Sequence, residues 1–315
     1  MGTDLYDRQT TIRSRVSLSG TGVHSGKPVS VHFNPADADT GVVFHCVDRD
    51  GAAEIRALVS EVGATAFSTV LGDPAGHHVA TVEHLMAALL GLGIDNVMIE
   101  VHGSEAPILD GSAALFVDAL EQAGIEQLAA RRRYLRVVKP VRIESGGSWA
   151  EFRPYDGTRF EVEIDFDSPA IGRQALTVDL DADTFSREVS RARTFGFMKD
   201  VERLWAGGFA LGSSLENSVV IGDDHRIINM EGLRYPDEFV RHKMLDALGD
   251  LALAGGRFIG WFRSYRGGHK LNAAALSRLL SDSSAYQMVE AERRERNRSA
   301  EKISLTGVSY APWTR

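Results

Sequence analysis

The chain has 315 residues, 43% apolar and 25% charged, with a net charge of −8 and one cysteine, Cys46. This length suits one large or two moderate domains, the negative charge argues against a generic nucleic-acid or anionic-membrane surface, and a lone cysteine excludes intrachain disulfides and cysteine-based zinc sites. The opening MGTDLYDRQTTIRS lacks an apolar signal core, Tyr6 stands where a myristoylation signal wants Ser or Thr, and no stretch approaches the roughly 18 apolar residues of a membrane span; a cytosolic protein is expected.

RVSLSGTGVHSGKPVSVHFNPA alternates apolar and polar residues around a Gly-rich turn, predicting a hairpin. GVVFHCVD reads as a strand. HVATVEHLMAALLGLGI reads as a helix, with Thr81 as N-cap and Gly91 or Gly93 as its stop. NVMIEV is a strand, HGSEAPILDGS a loop and AALFVDALEQAG a helix. LAARRRYLRVVKP marks a boundary, its run Arg131 to Arg133 read most simply as a solvated connector. The strands VRIES, WAEFRP and FEVEIDF follow, then the mixed stretch SREVSRARTFGFMKDVERLWAGG. A helix is predicted from about Pro236 to Ala254, then the strand RFIGWFRSY, the loop RGGHKLN and the helix AAALSRLLSD. From about Ala285 the chain is polar and charged, predicting a solvated helix with a loose tail.

The two halves repeat one order of elements: strands, helix, strand, loop, helix. Val82 and Val240 each open a Val-x-His-x-Met match, and with the shared order this favours an internal duplication. His84 and His242 would then be equivalent.

On a helical wheel Val240, Met244, Leu248 and Leu251 form one stripe and His242, Asp246 and Asp250 another. The polar stripe could simply face water. Phe239, Leu245 and Leu253 lie beside or within it, however, and a helix apolar on both sides is sandwiched. Buried ionisable groups need partners. His242 and Asp246, one turn apart, can converge on one ion; their N and O donors suit Zn²⁺, with His84 as the third ligand and Asp250 as an orienting carboxylate. Glu83 could be a first-turn carboxylate favoured by the helix dipole or a general base beside the metal. His269, in the Gly-rich GGHKLN, could be an exposed loop residue or a general acid.

Together and in this order, TVEHLMAAL, LDGSAALFV, SRARTFGF, DEFVRHKMLDALGDL and GGHKLN resemble the zinc-dependent UDP-3-O-acyl-N-acetylglucosamine deacetylase family of Gram-negative lipid A synthesis, from about residue 8 to 283. The resemblance implies an α+β fold of two β-α-α-β sandwich domains, helices packed at the interface, each with a small insert: residues 1–128, residues 129–290 and a polar tail over 291–315. It implies zinc ligands His84, His242 and Asp246, general base Glu83, and His269 as general acid or transition-state stabiliser. Thr194 would support the oxyanion and Asp250 orient the active-site histidine. Lys243 would contact substrate, Phe195 line the site, Phe166 pack on uracil and Asp200 meet the glucosamine, with a lesser role for His24.

The family's second insert forms an acyl passage, here Phe197, Val201, Leu204, Trp205, Leu211, Ser213 and Val220. Three departures stand out: Ser68 where many relatives have cysteine, Ser148 where some place a lysine near the nucleotide, and the bulky Trp205. The implied protein is a cytoplasmic monomer acting on a UDP-linked acylated glucosamine, with transient inner-membrane proximity and no nucleic-acid partner. The rivals are another zinc amidohydrolase such as a peptidase, for which no His-Glu-x-x-His occurs, and a non-catalytic nucleotide-sugar or metal-binding protein.

Overall fold

The computed structural model describes residues 8–48 and 51–291; the expected tail falls almost wholly outside the described residues. Its architecture is mixed α and β. Six α-helices are described: α1 (Glu83–Leu92), α2 (Ala114–Ala123), a single turn α3 (Ala182–Thr184), α4 (Met198–Ala206), α5 (Glu238–Leu251) and α6 (His269–Leu280). No described helix is long and apolar enough to cross a membrane.

A five-stranded sheet runs in the order Val16–Thr21, Pro28–Pro35, Val97–His102, Val42–Asp48, Gly51–Arg56. In the seven-stranded sheet, Val141–Ser145, Ser148–Arg153, Arg257–Tyr265, Thr158–Asp165 and Arg173–Asp179 pair in the same succession. Within these five strands the central one follows α1 in the first half and α5 in the second, antiparallel to one neighbour of the series and parallel to the other. Alternating burial along Pro28–Pro35 turns Val29, Val31 and Phe33 inward, as the two-residue period of a strand requires.

The two halves meet through α1 and α5. Every residue of α1 is buried, including Glu83 and His84. Along α5 only Arg241 and Lys243 are partly exposed, so the sandwiched reading of that helix is the observed one. The crossing depends on Gly249: a Cβ there would lie 1.9 Å from the Glu83 carbonyl oxygen. Gly249→Ala is expected to cost about 1–3 kcal/mol by overpacking and to displace Glu83 and His84 from the partners on α5. Chemical denaturation checks this; an unchanged midpoint would contradict the close approach.

Several local expectations change. Val82, not Thr81, caps α1, Thr81 having φ of +57°; Gly93 ends the helix in the left-handed region. The boundary tract is two strands, Ile125–Arg131 and Arg133–Val137, the first crossing the expected division at 128. Within the run read as solvated, Arg132 is 2% exposed, pairs with Asp95 at 2.6 Å and donates to the Gly93 carbonyl at the end of α1. A carboxylate and a free helix-end carbonyl outcompete water for that guanidinium. Tyr286–Glu290 is a strand rather than a helix, because Arg133–Val137 offers it an antiparallel ladder.

Candidate active site

His84 and His242 reach one point from α1 and α5. Their rings stand edge to face with centroids 5.0 Å apart. Asp246 Oδ1 lies 3.3 Å from His242 Nε2 and 3.8 Å from His84 Nε2. The donor atoms of all three lie within 4.8 Å of one another, and all three side chains are buried. His242 Nδ1 lies 3.0 Å from the Ala192 carbonyl oxygen, an acceptor, so Nδ1 carries the hydrogen and Nε2 keeps its lone pair. Lys243 donates to Asp246 Oδ2 at 2.7 Å, which leaves Oδ1 to the histidines.

The electrostatics match. Burial, reinforced by His242, lowers the His84 pKa to about 3, and burial likewise lowers that of His242, so both rings are neutral at pH 7. Burial opposes ionisation of Asp246, but His242, Lys243 and His269 more than offset it and hold the carboxyl far below its ordinary range. Two neutral imidazoles and a carboxylate are the donor set of a three-ligand divalent site.

Glu83 and His269 flank this cluster. Glu83 is 3% exposed and accepts from the Thr69 backbone N–H at 3.0 Å. Burial raises its pKa to about 7, against His269 and with help from Asp246 and Asp250. His269 is the first residue of α6 rather than a loop residue, and its Nε2 lies 3.9 Å from Glu83 Oε1. Burial disfavours its charge, but Asp250 and Glu83 overcome that and raise its pKa to about 10.

Asp250 is saturated with donors. His269 Nδ1 stands 3.0 Å from Oδ2, Asn272 Nδ2 donates to Oδ2 at 2.9 Å and Thr69 Oγ1 donates to Oδ1 at 2.6 Å. Thr69 therefore ties Glu83 to Asp250, backbone to one and hydroxyl to the other. Sequence reasoning passed over Thr69 and Asn272; Ser68, next to Thr69 in the chain, is buried.

These groups open into a cavity of about 460 Å³. Glu83, the three candidate ligands, Lys243 and His269 line its floor. Thr194 lines it too, its backbone fixed by N–H donation to Gly111 and by carbonyl acceptance from Val219, both at 2.8 Å. Phe195 lies edge to face with Phe239 at 4.9 Å and 5.7 Å beneath the Lys243 ammonium.

The apolar wall comes from the segment after Thr194. Phe197 ends a short strand, and Val201, Leu204 and Trp205, at i, i+3 and i+4 of α4, share one face toward the cavity. Ser213 and Val220 complete that wall, while Leu211 is exposed and outside the lining. The opposite rim was not foreseen: Phe67, at φ +67°, packs with its ring tilted 52° against that of Phe209, centroids 4.8 Å apart. Three of the cavity residues, Phe67, Thr81 and Ala210, hold positive φ without being glycine, the kind of strain that gathers at functional sites.

His24 lines the cavity, its backbone held by the buried carboxylate of Glu105 at 3.1 Å. Two expected contacts stand apart. Phe166 packs 5.8 Å from Phe195 and 6.3 Å from Phe197 but is not in the lining, and Asp200 is paired with Arg203 at 2.9 Å on the outer part of α4. Ser148 opens a strand of the second sheet, away from the lining.

Comparison with known proteins agrees with this arrangement. The family model described as "LpxC: UDP-3-O-acyl N-acetylglycosamine deacetylase" matches residues 9–281. Curated relatives called UDP-3-O-acyl-N-acetylglucosamine deacetylase from Brucella ovis, Brucella abortus and Brucella melitensis are each 58% identical over 283 residues, spanning 90% of this chain and 99% of theirs. A match of this extent, carried across both halves and every element that lines the cavity, places the chain in the UDP-3-O-acyl-N-acetylglucosamine deacetylase family.

Proposed function

We propose that this chain is a zinc-dependent amidase that removes the acetyl group of UDP-3-O-(3-hydroxyacyl)-N-acetylglucosamine, releasing acetate in the committed step of lipid A biosynthesis. The observation that carries the reading is a single cavity where His84, His242 and Asp246 converge beside Glu83 and His269, with an apolar extension along α4. On this reading His84, His242 and Asp246 hold the cation, the N,N,O donor set favouring zinc over Ca²⁺ or Mg²⁺. When bound, zinc supplies Lewis-acid polarisation of an amide carbonyl and a lowered pKa for water.

The chain's own groups do the rest. Glu83, poised near neutrality by burial, takes the proton of the attacking water. The Thr194 hydroxyl and protonated His269 donate to the developing oxyanion, and His269 then protonates the leaving amine. Asp250 keeps the His269 ring oriented and charged. Lys243, Phe195 and His24 contact the sugar side of the substrate. Phe166 serves uracil, and Asp200 serves the glucosamine on leaving Arg203. The acyl chain runs along Phe197, Val201, Ser213 and Val220. The protein is a cytoplasmic monomer with transient inner-membrane proximity, and its matching sheets derive from an internal duplication; identical strand order and direction in the two halves support that origin.

The site must lose the Glu83 proton and keep the His269 proton, so activity rises with pH through the first group and falls through the second. Removing the Asp250 charge lowers the His269 pKa. Asp250→Asn is therefore expected to move the basic limb toward lower pH by about 1–3 units, read from kcat against pH. An unmoved limb would remove Asp250 from that role.

Trp205 is 52% exposed and lines the passage. Each buried CH₂ contributes about 0.8 kcal/mol, roughly fourfold in affinity, so Trp205→Ala is expected to shift acyl-length preference toward longer chains. Identical kcat/KM ratios across a chain-length series would take Trp205 out of the passage. The reading as a whole is tested by acetate release from the UDP-sugar and from peptide amides, before and after chelation. Metal-reversible turnover of the UDP-sugar alone is expected; peptide turnover, or indifference to chelation, would contradict it.

A further inference from the structure

The outer face of the five-stranded sheet carries a second cluster that the deacetylase chemistry does not use. The strand register lines up Ser17, His32, Glu100, His45 and Glu54 in one row across five strands. Paired residues project from the same face, and the inward neighbours Val31, Phe33, Ile99 and Val101 are buried, so this row faces solvent. His102, two residues beyond Glu100, projects from that face as well. Its ring lies 5.2 Å from that of His32, and donor atoms of His32, Glu100 and His102 all fall within 4.8 Å of one another.

We propose that His32, Glu100 and His102 form a second, surface site for a divalent transition metal. Two imidazoles and one carboxylate select zinc, copper or nickel over calcium or magnesium. Bonds of about 2.0–2.2 Å in a tetrahedral site set donors about 3.3 Å apart, a spacing these side chains reach by small rotations on a rigid sheet. The orienting contact typical of a metal-binding histidine is in place: Ser17 Oγ holds His32 Nδ1 at 2.6 Å, and with Nδ1–H as donor Nε2 keeps its lone pair. Metal entry opens the 2.6 Å contact between His102 Nε2 and Glu100 Oε1, and Arg15 stands 3.9 Å from the other Glu100 oxygen. Both compete with a cation, so the outer site binds more weakly than the buried one.

The test titrates Zn²⁺ by calorimetry into protein already holding one equivalent of zinc. A second, weaker equivalent is expected in the unaltered protein. His32→Thr, His102→Thr and the shape-preserving Glu100→Gln are each expected to weaken it at least tenfold while deacetylase activity stays unchanged. Asp246→Ala, which disables the buried cluster, is expected to retain the outer equivalent, so the two sites succeed or fail separately. Cu²⁺ at the outer site is expected to show electron-spin couplings to two imidazole nitrogens. No second equivalent, or one that all three outer substitutions leave intact, would overturn the proposal.

Discussion

Glu83→Ala is expected to leave zinc content at one equivalent and to lower kcat by about 10²–10⁴, the usual contribution of a general base. The carboxylate is not among the converging donors, yet it sits on the residue adjacent to His84 and shares the cavity with it. Neighbours on a helix point about 100° apart, so one can ligate while the other faces the reacting water. Its two hydrogen-bonding duties are separable. Glu83→Gln keeps an oxygen for the Thr69 N–H but cannot accept a proton, and the same kcat loss in that variant assigns the effect to basicity. Near-full turnover by either variant would remove Glu83 from proton transfer.

Asp246→Ala is expected to abolish the tight zinc equivalent of the buried site and with it all measurable turnover. Its Oδ1 is the only carboxylate oxygen in the buried donor set. The same substitution strips Lys243 of its 2.7 Å partner; because that side chain retains 24% exposure, the stability cost is expected near the lower end of the range for breaking a buried pair, about 3 kcal/mol. Asp246→Asn, which preserves shape and one oxygen, should recover part of the stability and little of the metal affinity. Tight zinc binding at one equivalent by Asp246→Ala, undiminished from the unaltered protein, would place the ligands elsewhere.

How much of this was legible depended on whether the signal was local or paired across the chain. His242 and Asp246 were readable because one helical turn separates them, and apolar residues on both sides of α5 betrayed its burial. His84 was readable through the Val-x-His-x-Met match between the halves. Thr69 was not: a threonine in a short irregular segment has no periodicity, and its importance comes only from contacts to Glu83 on α1 and Asp250 on α5. Asn272 is similar, one polar residue in an ordinary helix until Asp250 is placed beside it.

Charge runs misled for the same reason. Arg131 to Arg133 looked like one solvated tract, but Arg132, at the break between the two strands, alone turns inward to Asp95 and the end of α1. Phe67 carried no pattern at all; its place at the cavity rim follows from a positive φ and from Phe209, far along the chain. The family resemblance supplied roles for Phe166 and Asp200 that this arrangement leaves one step removed from the cavity.

The most direct measurement is the metal content of purified protein, beside that of His84→Ala, after removal of weakly held ions. A shared site built from α1 and α5 predicts one tightly bound zinc in the unaltered chain and a loss of at least tenfold in affinity when the α1 ligand is removed. Equal, tight occupancy in both proteins would contradict the account, because the two halves would then not be joined through a common cation.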